Sequence, residues 1–137
     1  MYDSKTTRKL IRRYYSSCPY EIAASLRIHV RFDELPKSVR GLYSKTLGQR
    51  FIVISNGLTS EWQRFVCAHE LGHAVLHPGT NYYFLTAQTL LVPGKYEREA
   101  NRFACDLLTE GEVIRESEPL ETFYSRCKIP REIIDKL

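Results

Sequence analysis

The sequence predicts an α+β fold, and three observations carry that expectation. Residues 28–34 (Ile28-His29-Val30-Arg31-Phe32-Asp33-Glu34) alternate apolar and polar side chains, the period of a half-buried strand. The run Phe51-Ile52-Val53-Ile54 is continuously apolar and rich in β-branched residues, which suits a strand covered on both faces. Helical patterns flank this block on either side, over residues 4–16, 60–77 and 94–109.

Taken in order, Leu10, Ile11, Tyr14 and Tyr15 put an apolar stripe on a first helix whose other side is basic. Ser17-Cys18-Pro19 stops it, and Pro19 suits the first turn of a short second helix carrying Ile22, Ala23 and Leu26. After the 28–34 strand, Leu42–Thr46 and Arg50–Ser55 read as a hairpin turning at Leu47-Gly48-Gln49. A long helix starts at Thr59 or Ser60, where Ser60 and Gln63 fit a capping box, and runs to His77 before Pro78-Gly79. Residues 80–92 read as irregular. Gly94 precedes another helix, with Tyr96, Ala100, Phe103, Ala104, Leu107 and Leu108 at helical spacing. The tail offers two short helical patterns, Leu120–Cys127 and Pro130–Leu137.

The 137 residues suit one domain, divided as N-terminal helices (1–27), a catalytic core (28–109) and a short helical tail (110–137). Hydrophobic residues at 43% and charged residues at 26% exclude a disordered, collagenous or coiled-coil chain. No run approaches the roughly 18 apolar residues of a membrane span, and the basic N-terminus lacks the apolar stretch of a secretory signal. A cytoplasmic protein with no membrane partner is expected. Four cysteines without a Cys-x-x-Cys pair are expected to be reduced thiols. Residues 1–50 hold 11 Lys/Arg against 4 Asp/Glu. The densest cluster (Lys5, Arg8, Lys9, Arg12, Arg13) reads as a solvated helix face, and direct nucleic-acid binding is not expected.

The chemistry is concentrated in His69-Glu70-Leu71-Gly72-His73. Residues four apart on a helix lie one turn above each other, so both imidazoles can reach one Zn²⁺ at about 2.0–2.1 Å. Glu70 leaves the same turn, where a carboxylate can accept a proton from a water activated by the metal. A catalytic zinc needs a third protein ligand. Leu76 and Gly79 stand where the longer metzincin motif requires Gly and His, so that arrangement is excluded. His77 is two turns from His69, too far for three ligands on one straight helix. A carboxylate of the later helix remains, and helical phase leaves Glu97, Glu99 and Asp106 open.

The segments Gln63-Arg64-Phe65-Val66-Cys67-Ala68-His69-Glu70-Leu71-Gly72-His73-Ala74-Val75-Leu76-His77 and Glu97-Arg98-Glu99-Ala100-Asn101-Arg102-Phe103-Ala104-Cys105-Asp106-Leu107-Leu108 resemble the two signature blocks of the ImmA/IrrE metallopeptidase family. The resemblance extends over about residues 18–109. It implies a zincin-like fold, with a small antiparallel sheet against the motif helix and a second helix bearing a ligand. It further implies one Zn²⁺ per chain on His69, His73 and Glu99, with Glu70 as general base. The implied function is endoproteolysis of a helix-turn-helix repressor, which relieves repression of phage, mobile-element or stress genes. Tyr82 or Tyr83 is a candidate oxyanion donor, and His77 and Asp106 are candidate supporting groups. Leu42–Thr46 is expected to be an exposed edge strand to which an extended substrate adds. Two other readings exist: an anti-repressor or toxin-like module acting by binding, with a structural or weakly active metal site, and a small DNA-binding regulator resting on the basic first helix. An intact Glu70 favours catalysis, since a structural zinc site has no use for a base there.

Overall fold

A computed structural model of the protein describes residues 2–79, 81–85 and 94–137, with 82–85 described through their backbone. The elements run α1 (Ser4–Tyr14), α2 (Pro19–Ser25), β1 (Ile28–Asp33), β2 (Val39–Thr46), β3 (Gln49–Ser55), α3 (Ser60–Leu76), β4 (Tyr82–Leu85), α4 (Lys95–Leu108), α5 (Leu120–Arg126) and α6 (Arg131–Ile134). The architecture is α+β, as expected.

The four strands form one sheet in the order β1-β3-β2-β4. The β2–β3 hairpin turns on two residues, Leu47 and Gly48, both at positive φ (51° and 77°), so that Thr46 pairs with Gln49. Two residues in the left-handed region match the twist of the flanking strands. The sheet is mixed and not wholly antiparallel: β1 runs parallel to β3, from Ile28 opposite Arg50 to Asp33 opposite Ser55. The connection from β1 to β2 carries the chain across β3 to its far side. In β3, Ile52 and Ile54 are fully buried, whereas Phe51 and Val53 are partly covered, so one face makes core and the other is half-shielded. Phe51 shares that outer face with His29, which stacks on it.

Two sequence expectations change here. Tyr82–Leu85 lies in the stretch read as irregular, yet it pairs antiparallel with β2. Four residues are too few for a periodic signal, and the strand forms because β2 presents a row of backbone partners. By the same pairing, β2 is an interior strand and not an edge. Leu42 and Tyr43 face Tyr83 and Tyr82 across the ladder, and the backbone N–H of Lys45 donates to Asn81 Oδ1.

Helix α3 is capped by Thr59, whose Oγ1 accepts from the Trp62 N–H. Gln63 reaches back to the Ser55 carbonyl instead of closing a capping box. From Phe65 to Ala74 every residue of α3 is buried, as in a helix enclosed on all sides. The sheet covers one side of it. There Gly41 of β2 lies so close that a Cβ would stand 2.4 Å from Val66 Cγ1. Helix α4 covers another side through Ala100, Phe103, Ala104 and Leu107. The tail joins the same core through Ile129, Ile133 and Ile134. It is tied at its rim by the Arg40–Glu132 ion pair (2.8 Å), with the Arg40 guanidinium 3.9 Å from the Trp62 ring centre. All four cysteines are free thiols. Among the described residues no helix is long and apolar enough to cross a membrane.

The α3–α4 contact sets the site's geometry, and at Gly72 the two helices approach closely. A Cβ there would meet Phe103 Cδ1 at 3.0 Å and the Ala100 Cα at 3.3 Å. Because one obstacle is backbone, α4 itself must give. Gly72→Ala gains about 1 kcal/mol of helix propensity but incurs about 1–3 kcal/mol of overpacking. The expected outcome is a lower melting temperature and weaker metal affinity, read by calorimetry and chelator competition. A variant more stable than the parent with unchanged affinity would show that the two helices are not held at this contact.

Candidate metal centre

Helix α3 brings His69 and His73 one turn apart, with ring centres 4.8 Å from each other, and both are almost fully buried. Across the Gly72–Ala100 contact, the first turn of α4 supplies Glu97. Its carboxylate spans the pair: Oε2 lies 3.1 Å from His69 Nε2 and Oε1 lies 2.8 Å from His73 Nε2. One donor atom from each of the three falls within 4.8 Å of the others. Two imidazole nitrogens and a carboxylate oxygen are a donor set that suits zinc.

The remaining ring nitrogens are also engaged. His69 Nδ1 lies 2.8 Å from Asn101 Oδ1, and since an amide oxygen only accepts, Nδ1 carries the proton and Nε2 is left for coordination. Asn101 is one turn beyond Glu97 on α4, so one helix face supplies both the carboxylate and the group that orients the His69 ring. Burial pushes the pKa of His73 down to about 4. Its imidazole is therefore neutral at physiological pH, the form that binds a metal. Burial opposes ionisation of Glu97, but the two imidazole rings facing its carboxylate outweigh it and hold the carboxyl well below the usual range.

Glu70 completes the arrangement. It is fully buried, and among the described residues neither of its carboxylate oxygens has a hydrogen-bond partner. Burial first, and then the charge of Glu97, push its pKa well up. A solitary carboxylate is costly to bury, and it makes physical sense only beside groups that complete it. The donor set and this orphaned carboxylate together fit a metal ion with its water.

Glu99, the expected third ligand, is not brought to His69 and His73. Residues two apart on a helix point about 200° apart, so once Glu97 faces α3 from above, Glu99 is turned away from the pair. It meets His77 instead, with Oε1 3.3 Å from Nε2, and it accepts from the backbone N–H of Tyr2. Asp106 accepts a short hydrogen bond from the Tyr2 hydroxyl and is likewise absent from the group around His69 and His73. His77 lies against the site: its Nδ1 is 3.0 Å from His73 Nδ1, and its ring stacks on Tyr96 at 4.2 Å. The side chains of Tyr82 and Tyr83 fall outside the described residues. Asn101, Tyr2 and Tyr96 carried no functional expectation. Only Asn101 had a sequence signal, its i+4 spacing from Glu97.

The profile of the IrrE N-terminal-like domain (Peptidase_M78) matches residues 23–131. The chain is 40% identical over 114 residues to "uncharacterized immunity region protein 2" of Bacillus phage phi105, covering 83% of this chain and 72% of the relative. It is 28% identical over 124 residues to the metallopeptidase ImmA of Bacillus subtilis (strain 168), covering 89% of this chain and 72% of that protein. No solved structure matches. A histidine pair on one helix, a carboxylate from the next and a buried acid beside them thus sit inside the matched region, and the chain belongs to the ImmA/IrrE family of metallopeptidases, the IrrE N-terminal-like group.

Proposed function

We propose that the protein is a zinc-dependent endopeptidase of the cytoplasm that cleaves a helix-turn-helix repressor, with His69, His73 and Glu97 as metal ligands and Glu70 as general base. The observation that carries this reading is Glu70, a fully buried carboxylate with no partner among the described residues, next to a convergent His/His/Glu donor set. These three residues would hold one Zn²⁺, which when bound would supply Lewis acidity to a carbonyl and to a water. Glu70 accepts the proton of the attacking water and returns it to the leaving amine. Asn101 holds the His69 ring in the tautomer that presents an unprotonated Nε2 to the site.

Among the described residues the edges of the sheet are β1 and β4. The substrate's extended backbone adds to β4, the edge strand that directly follows α3, in place of the β2 edge expected from sequence. A relative from a phage immunity region supports a repressor as the substrate. Cleavage falls between the repressor's DNA-binding and oligomerising parts, because a cleft can pair only with backbone that secondary structure has not already satisfied. Uncoupling the two half-site contacts then removes most of the affinity for DNA.

The test is incubation of the zinc-loaded protein with the repressor encoded beside it, followed by intact-mass analysis. Two fragments summing to the repressor plus one water are expected. An intact repressor whose operator binding is nevertheless relieved would establish the alternative, a module acting by sequestration.

A further inference from the structure

His77 and Glu99 are brought beside the metal group without belonging to it, and both are joined to the first residues of the chain. His73 Nδ1 and His77 Nδ1 share a hydrogen bond of 3.0 Å, and His77 Nε2 lies 3.3 Å from Glu99 Oε1. The other oxygen of Glu99 accepts from the Tyr2 backbone N–H. Tyr2 is itself anchored on α4. Its hydroxyl donates to Asp106 and lies 2.7 Å from Thr7 Oγ1, and its ring meets Phe103 edge-on at 6.2 Å. Stacking on Tyr96 holds the His77 ring from the remaining side.

The direction of this chain follows from what each group can donate. If His73 offers Nε2 to a metal, its proton sits on Nδ1 and is donated to His77 Nδ1. A neutral His77 that accepts at Nδ1 carries its own proton on Nε2, and that N–H finds the Glu99 carboxylate. The carboxylate only accepts, so it fixes the far end, and the Tyr2 N–H fixes the carboxylate.

We propose that Glu99, held by the N-terminal segment through Tyr2, is a positioning residue that sets the tautomer and ring orientation of His73 through His77. The segment before α1 is then part of the metal site's support and not a loose end. The inference rests on the metal reading above. It gives Glu99 a role different from a ligand's: it acts on zinc only through His77.

Zinc affinity, measured by competition with a chromogenic chelator on the full chain, tests it. Glu99→Ala and His77→Phe, the latter keeping a ring against Tyr96, should each weaken binding about 10–100-fold, the cost of removing a group that orients a ligand. Because the two act in series, the double variant should be no weaker than the worse single. Glu99→Gln, which keeps an acceptor oxygen for His77, should recover most of the loss. Nitrogen-15 spectra of the zinc-loaded protein should show His73 protonated at Nδ1. That N–H signal should move to its unbonded position in His77→Phe, a change that loss of packing alone does not produce. Circular dichroism and melting establish that each variant is folded, and the Glu99 arm decides the matter alone if His77→Phe does not fold. Unchanged affinity in folded Glu99→Ala, or losses that simply add in the double variant, would overturn the relay. A wild-type chain that takes up no zinc would overturn the metal reading and the relay with it, and is told apart because there is then no affinity to lose.

Discussion

Glu97→Ala should abolish stoichiometric zinc binding, and with it proteolysis, while leaving the core intact. Glu97 bridges both histidines, at 3.1 Å and 2.8 Å, and its removal leaves two ligands where a catalytic zinc site has three. The loss should exceed the roughly 10–100-fold expected for a supporting group, so Glu97→Ala must rank well below Glu99→Ala in affinity. The side chain lies at the rim of the site, about 16% exposed, and a folded, metal-free protein is the expected product. Elemental analysis of dialysed protein and chelator competition give the ranking directly. Zinc retained in Glu97→Ala but lost in Glu99→Ala would restore the ligand set implied by the sequence resemblance and refute the assignment made from geometry.

Glu70→Gln should separate chemistry from binding. The amide has the size of the carboxylate but cannot take a proton from water, and loss of a general base lowers turnover by about 10²–10⁴-fold. Metal content should stay near one per chain, since Glu70 is not among the three converging donors. Stability should move the other way. The wild-type carboxyl is fully buried without a partner among the described residues, and a neutral amide relieves the cost of burying a charge. A higher melting temperature in the metal-free protein, combined with a collapse in cleavage rate, is the signature of a residue kept for catalysis at the expense of stability. Full cleavage activity in Glu70→Gln would rule out the base assignment.

Much of the site was legible because it is local. His69 and His73 are four residues apart on a helix, and Glu70 follows the first of them, so their juxtaposition needs only the helix's own geometry. The strands were legible for the same reason: alternation in β1 and the β-branched run of β3 are properties of consecutive residues.

What lay beyond the sequence depended on how separate elements are turned toward each other. The carboxylate that meets the histidine pair is the clearest case. Glu97 and Glu99 border the apolar arc of α4 on opposite sides, and nothing in that helix alone says which side meets the histidines. The Gly72–Ala100 contact decides it, because the absent Cβ lets α4 settle with Ala100 and Phe103 against α3. Glu97 and Asn101 flank that line of contact and come round to His69. The same holds for β4, a four-residue strand that exists because β2 offers it hydrogen-bond partners, and for the parallel β1–β3 pair, which depends on where the chain crosses. Tyr2 is the extreme example, meeting Glu99 across 97 residues of sequence. The sequence by itself determined which short segments bring His69, Glu70 and His73 together, since hydrophobic period and i,i+4 spacing act within a few residues. The tertiary structure alone decided which carboxylate joins them, because the rotation of one helix on another is set by steric contacts between residues far apart in the chain.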